Sequence, residues 1–232
     1  SRQEAAQEEG PRSRHLDQVC VERIRMKRVG VRERSVFINV PFDSEYEPLY
    51  LGLIAGLVGL GFLPRCVLEI PSAGKAIRLD RIVQCIRECK YSLHDLSRCG
   101  VDPRSRCARF NMPFELGLAV ATQFVDRDHK WVLFETRSFR LQKSLSDLNG
   151  FDPHIHLGKP VGVLQALRNA FQRDRRRPNV DDLRALLRDV NETARKLKAS
   201  SRSKSLYDAT SFRELVRAAG LVADRQFRPT WR

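Results

Sequence analysis

Short β-rich runs alternate with apolar helical segments along most of this 232-residue chain. No other feature of the sequence narrows the possible folds as much. Ser35–Val40 (SVFINV) is a β-rich run stopped by Pro41, and Pro48 is a good first residue for an apolar helix over Leu49–Leu60. Phe62–Glu69 reads as a second strand. Arg78–Cys89 then places Leu79, Ile82, Val83 and Ile86 on one helical face. Tyr91–Leu96 is a third strand, Pro113–Phe124 an apolar helix, and Lys130–Glu135 (KWVLFE) a fourth strand. A polar loop follows over 136–153, then a short strand at His154–Leu157 and a helix at Val161–Phe171. Strands separated by helices imply βαβ units and a parallel sheet. The predicted class is α/β: a flavodoxin-like (Rossmann-like) doubly wound sheet with a C-terminal helical extension.

Three regions follow from this reading. Residues 1–34 form a polar N-terminal segment, 35–172 the α/β domain, and 173–232 a basic extension. The extension opens with the charged run Arg173–Pro178 (RDRRRP) and continues into helices near Asp181–Lys198 and Ser211–Ala219. The formal charge of +14 is uneven: 171–232 holds 16 basic and 8 acidic residues, whereas 35–170 holds 17 and 14. A tail of that kind neutralises phosphates, so nucleic acid or an acidic protein is a candidate partner for 173–232. It carries no interleaved aromatic platform for stacking on bases. Leu51–Leu63 is the longest uncharged apolar stretch, and its thirteen residues fall short of the about 20 that span a bilayer. No basic-then-apolar signal opens the chain, and the six cysteines lack paired C-x-x-C spacing. Reduced structural thiols, no membrane and a cytoplasmic setting are expected.

Ligands of open parallel sheets bind beyond the carboxyl ends of the strands. After the first strand that rule selects Asn39, Phe42 and Asp43, and after the third it selects Asp95 and Ser97. Asn111 and Glu115 lie where the next helix opens, and Arg78 and Arg109 can meet a pyrophosphate. Glu115 belongs to the first turn of an otherwise apolar helix on this reading. Free N–H groups and the helix dipole would then hold its pKa low. Such a carboxylate suits a nucleophile or a stabiliser of positive charge. Gly52, Gly56, Gly59 and Gly61 lie within and just after a helix, so they predict close helix–sheet packing rather than a phosphate loop. His154 and His156 share a strand face but have no third partner, so no metal site is expected.

The blocks SVFINVPFD, YSLHDLSR and FNMPFELGLAVA together resemble the core pattern of the nucleoside 2-deoxyribosyltransferase and TIR superfamily, over about Ser35–Leu157. Glu115-Leu116-Gly117-Leu118-Ala119 is similar to the segment that carries that family's nucleophilic Glu, and Asp95 matches its strand-end Asp. The resemblance implies catalytic roles for Glu115 and Asp95. Substrate-binding roles fall to Asn39, Phe42, Asp43, Ser97, Asn111, Arg78 and Arg109. It implies cleavage of the nicotinamide–ribose bond of NAD or of a related nucleotide, with NAD as substrate and no separate cofactor. It further implies a homo-oligomer and a role in bacterial defence or stress signalling. The segment Arg109–Pro113 departs from the transferase pattern, which counts against strict nucleoside transfer, and two alternatives stand beside NAD cleavage. One is a nucleoside deoxyribosyltransferase. The other is a non-catalytic nucleotide- or partner-binding module.

Overall fold

The computed structural model describes residues 30–69, 78–101, 106–171, 177–201 and 204–227. The polar segment 1–29 and most of the RDRRRP run lie outside them. Five parallel strands form one sheet: β1 (Ser35–Asn39), β2 (Leu63–Arg65), β3 (Tyr91–Asp95), β4 (Lys130–Glu135) and β5 (His154–Ile155). Their spatial order is β2-β1-β3-β4-β5. This is the flavodoxin-like order, and the direction in which strands are added reverses between β1 and β3, with all strands still parallel. The helices are α1 (Glu47–Gly59), α2 (Arg78–Glu88), α3 (Asn111–Val125), the single turn α4 (Leu141–Ser144), α5 (Pro160–Ala170), α6 (Val180–Ser200) and α7 (Ala209–Phe227).

The predicted second strand is shorter than its apolar character suggests. Only Leu63–Arg65 pairs, and Val67–Glu69 turns into a 3-10 helix. The Glu69 carboxylate causes the break: it accepts from the Cys66 backbone N–H at 2.8 Å and pairs with Arg65. Pro64 is tolerated because β2 is an edge strand.

Pleating assigns the faces of the sheet. Val36, Ile38, Tyr91 and Leu93 point to one side, into a core shared with α1 and α5. Phe37 points to the other, among Ile82, Cys85, Ile86 and Cys89 of α2 and its C-terminal end and Ala119 of α3. Every side chain of β1 and β3 is buried, as a sheet covered on both faces requires.

The C-terminal helices join the core. Asn179 caps α6 by accepting from the N–H groups of Asp181 and Asp182, while Asp182 reciprocates to the Asn179 N–H. Leu183, Leu186, Leu187 and Val190 of α6, with Phe212, Leu215 and Phe227 of α7, enter the same cluster as α1. That explains why α1 is apolar all round: the sheet and α5 take one side, and α6 and α7 take the rest. The glycines of α1 serve this helical layer rather than the sheet. A Cβ on Gly56 would come within 2.4 Å of Leu167 on α5, and one on Gly59 within 2.4 Å of Leu183 on α6. Among the described residues no helix is long and apolar enough to cross a membrane.

Candidate functional site

The topological reversal opens a cleft of about 470 Å³ at the carboxyl end of β1, on the α2/α3 side of the sheet. Six of the nine residues predicted for a site line it: Asn39, Phe42, Arg78, Arg109, Asn111 and Glu115. Phe110 and Met112 line it as well.

Glu115 departs from its expected character. The helix begins at Asn111, ahead of Pro113, so the first turn ends before Glu115 and holds no acidic residue. Glu115 is 7% exposed and faces the cleft from the second turn. Burial pushes its pKa up to about 7, against a smaller opposing pull from Arg78. The expected low pKa is therefore corrected, because the free N–H groups of the helix start lie one turn away and desolvation dominates. At neutral pH the group is divided between its acid and carboxylate forms.

Asn39 is held at the floor. Its Nδ2 donates to the Met112 carbonyl at 3.0 Å and to His94 Nδ1 at 2.9 Å. Burial drives the His94 pKa down to about 3, so the ring is neutral and Nδ1 acts as the acceptor. With both amide hydrogens committed, Asn39 offers the cleft its carbonyl oxygen. His94 escapes a reading of loops alone. The parallel register sets it beside Asn39 on the same face of the sheet, and that pairing is its sequence signal.

Asp95, Asp43 and Ser97 do not line the cleft. Asp95 follows His94, so the pleat turns it to the opposite face, toward α1 and α5. It is fully buried there. Tyr46 Oη and the Ser97 N–H donate to it, and His156 Nε2 lies 3.1 Å from its carboxylate. His156 Nδ1 accepts from the Gly158 N–H, which leaves Nε2 as the protonated nitrogen facing Asp95. Burial opposes ionisation of Asp95, but hydrogen bonds from His156, Tyr46 and Ser97 outweigh it and hold the pKa below its ordinary value. Asp95 thus ties β3 to the starts of α1 and α5. His156 is beyond the end of β5, whereas His154 packs edge-on against Phe134.

Asp43 organises the rim. It pairs with Arg98 at 3.1 Å and with Arg109, and it accepts from the Tyr46 N–H. Burial would raise its pKa, but these donors and charges prevail and lower it. Ser97 acts through its backbone, donating to Asp95 and accepting from Arg140. The link between α6 and α7 reaches the same rim. Tyr207 Oη donates to the Asp43 carbonyl at 2.7 Å, and the Tyr207 ring lies 5.4 Å from that of Phe42.

Comparison with family models, curated proteins and solved structures finds no match for this chain. Among the described residues no group of three metal-ligating side chains comes together.

Proposed function

We propose that the cleft binds a nucleotide and that Glu115 acts on its N-glycosidic bond, with NAD as the first substrate to test. One observation carries this reading: a buried carboxyl group with a pKa near 7, facing a cleft that arginine, amide and aromatic side chains also line. The volume lies in the range of small-molecule sites. Arg78 and Arg109 supply positive charge for phosphates, Phe42 and Phe110 supply faces for a base, and Asn39 and Asn111 supply polar atoms for a sugar.

The chemistry needs one carboxylate. When the bond from C1′ to the nicotinamide nitrogen breaks, its electron pair leaves with neutral nicotinamide. The ribose becomes oxocarbenium-like, and the Glu115 carboxylate stabilises that charge or bonds to C1′. Water then attacks C1′, its proton passes to solvent, and ADP-ribose departs. The cationic nicotinamide ring would itself favour the ionised form of Glu115 once bound. Nucleoside transfer differs only in the acceptor at the second step. Asp95 has no part in this scheme, since it points to the other face of the sheet.

The test is nicotinamide release from NAD by the full chain beside Glu115→Gln, at several protein concentrations. Release that disappears in the variant supports the reading. Release that survives in Glu115→Gln removes Glu115 from the chemistry, and a folded wild type that releases none refutes NAD cleavage.

A further inference from the structure

Asn39 lies on the floor of the cleft at the end of β1 and is 3% exposed. Its neighbours fix which way the amide turns. The Met112 carbonyl, 3.0 Å away, only accepts hydrogen bonds, so the atom facing it is Nδ2. The second hydrogen on Nδ2 goes to His94 Nδ1 at 2.9 Å. Turning the amide over would set its oxygen against a carbonyl oxygen and lose that bond. Oδ1 is therefore the free end of the group. Among the described residues none donates to it, yet it is not one of the sealed polar atoms left without a partner, so it opens on the cleft.

This acceptor stands beside Glu115. A helical carbonyl receives the N–H four residues on, so the Met112 carbonyl belongs to the turn that carries Glu115 into the cleft. Arg78 and Arg109, which line the same cleft, draw a phosphate. An amide oxygen next to a carboxyl group repels one. The part of a ligand that settles on this floor must be uncharged and must bring a hydrogen-bond donor.

In the nucleotide reading Glu115 works at C1′. The hydroxyl on C2′, the neighbouring ring carbon, is the donor that reaches an acceptor beside Glu115. The exocyclic amine of a purine lies across the base from C1′ and points away from it.

We propose, resting on the nucleotide reading, that Asn39 is a specificity-determining residue: its side-chain carbonyl accepts the ribose 2′-hydroxyl, and the cleft takes ribonucleotides in preference to 2′-deoxyribonucleotides. Solvent can serve Oδ1 before a ligand enters. A ribose hydroxyl replaces that solvent bond, whereas a 2′-hydrogen displaces it and leaves a buried acceptor dry. An acceptor stranded in this way costs more than an ordinary hydrogen bond is worth. A site built to bond a hydroxyl accordingly rejects the analogue that lacks it. The expected preference is about 10- to 100-fold. It counts against deoxyribosyl transfer, whose nucleoside lacks that hydroxyl.

The test is titration calorimetry of the full chain with two matched pairs of carbocyclic nucleotides. One pair is built on nicotinamide mononucleotide and the other on adenosine monophosphate. Each has a 2′-hydroxyl on one member and hydrogen on the other. A methylene in place of the ring oxygen blocks formation of the oxocarbenium ion, so binding is read without turnover. The wild type should favour the hydroxyl member by about 10- to 100-fold. In Asn39→Ala the ratio should fall to within about 3-fold, because a merely structural loss weakens both members equally and leaves the ratio unchanged. Nitrogen-15 spectra of the ligand-free wild type should show His94 protonated on Nε2 alone. This arm and the wild-type ratio still decide the matter if Asn39→Ala does not fold. A wild type that binds both members equally, or prefers the deoxy member, overturns the assignment while the nucleotide reading stands. A ratio that survives in Asn39→Ala, or a His94 proton on Nδ1, overturns it as well. A folded wild type that binds none of the four ligands refutes the nucleotide reading and this inference with it.

Discussion

Replacing Glu115 by Gln should stabilise the folded chain, increasingly so as the pH rises. The native pKa of about 7 stands above the ordinary glutamate value of 4.5. In the unfolded chain the carboxyl ionises as pH rises through the lower value, whereas the folded chain holds its proton until about 7. Between the two pKa values the folded state binds more protons than the unfolded state, so this group's contribution to stability falls with rising pH. Each unit of pKa difference is worth about 1.4 kcal/mol. The cost to the wild type grows from about 1 kcal/mol at pH 5 to about 3 kcal/mol at pH 8 by that linkage. Gln occupies nearly the same volume and cannot ionise. The variant should therefore match the wild type near pH 4.5 and gain up to about 3 kcal/mol at pH 8. Urea denaturation of both proteins at pH 5, 6.5 and 8 measures this, with unchanged m values as the check on two-state behaviour. A difference that stays flat across that range would refute the assignment of a desolvated, ionising carboxyl group to the cleft. A stabilised but inactive variant would identify a group kept at a cost to the fold.

The opposite sign applies to Asp95. Its pKa is lowered in the fold, so its contribution is present above the ordinary carboxylate range and is lost as pH falls through the native value. Asp95→Asn should cost about 3–5 kcal/mol at pH 7, because Tyr46 and His156 keep their buried donors without the charge they were built around. Thermal melting reads this loss, and the cleft of the folded variant should still bind ligand. Gly162→Ala should destabilise by at least about 3 kcal/mol. A Cβ there falls 2.0 Å from the His156 carbonyl, which is backbone and cannot rotate away. Tyr207→Phe should cost about 1 kcal/mol through loss of the hydrogen bond to the Asp43 carbonyl, measured by denaturant titration. A chain ended after Phe171 exposes the outer side of α1 and should aggregate or bind a hydrophobic dye, where a dispensable tail would leave a soluble domain.

The sheet was legible because its evidence is local and repeated. Runs such as SVFINV and KWVLFE carry β-branched and aromatic residues, and the helices between them carry a 3.6-residue period. Boundaries failed where a single side chain intervened, as Glu69 does when it caps Cys66 and ends β2 early. The role of α6 and α7 was hidden by their composition. Their arginines dominate a count of charge, yet the stripe of Leu183, Leu186, Leu187 and Val190 decides where α6 goes. The glycines of α1 were visible, but which neighbour they admit depends on the path of the chain more than a hundred residues later.

The candidate site divides along the same line. Proximity in sequence to a strand end selected Asn39, Phe42, Arg78, Arg109, Asn111 and Glu115, and the fold brings them to one cleft. It also selected Asp95, which the fold sends elsewhere. The distinction was present in the sequence as parity. Phe37 and Asn39 alternate with Val36, Ile38 and Val40, so the cleft face of β1 holds the odd positions. Once β3 is paired in register with Asn39 opposite His94, the cleft face of β3 holds Ser92 and His94, and Asp95 must face away. Two carboxylates at neighbouring strand and helix ends thus receive opposite fates from one alternation. Asp95 meets three donors and is held ionised as structure, while for Glu115 burial prevails over the pull of Arg78 and leaves it near its midpoint at neutral pH. A group held in this way costs the fold stability, and the chemistry proposed for the cleft is the use that accounts for it.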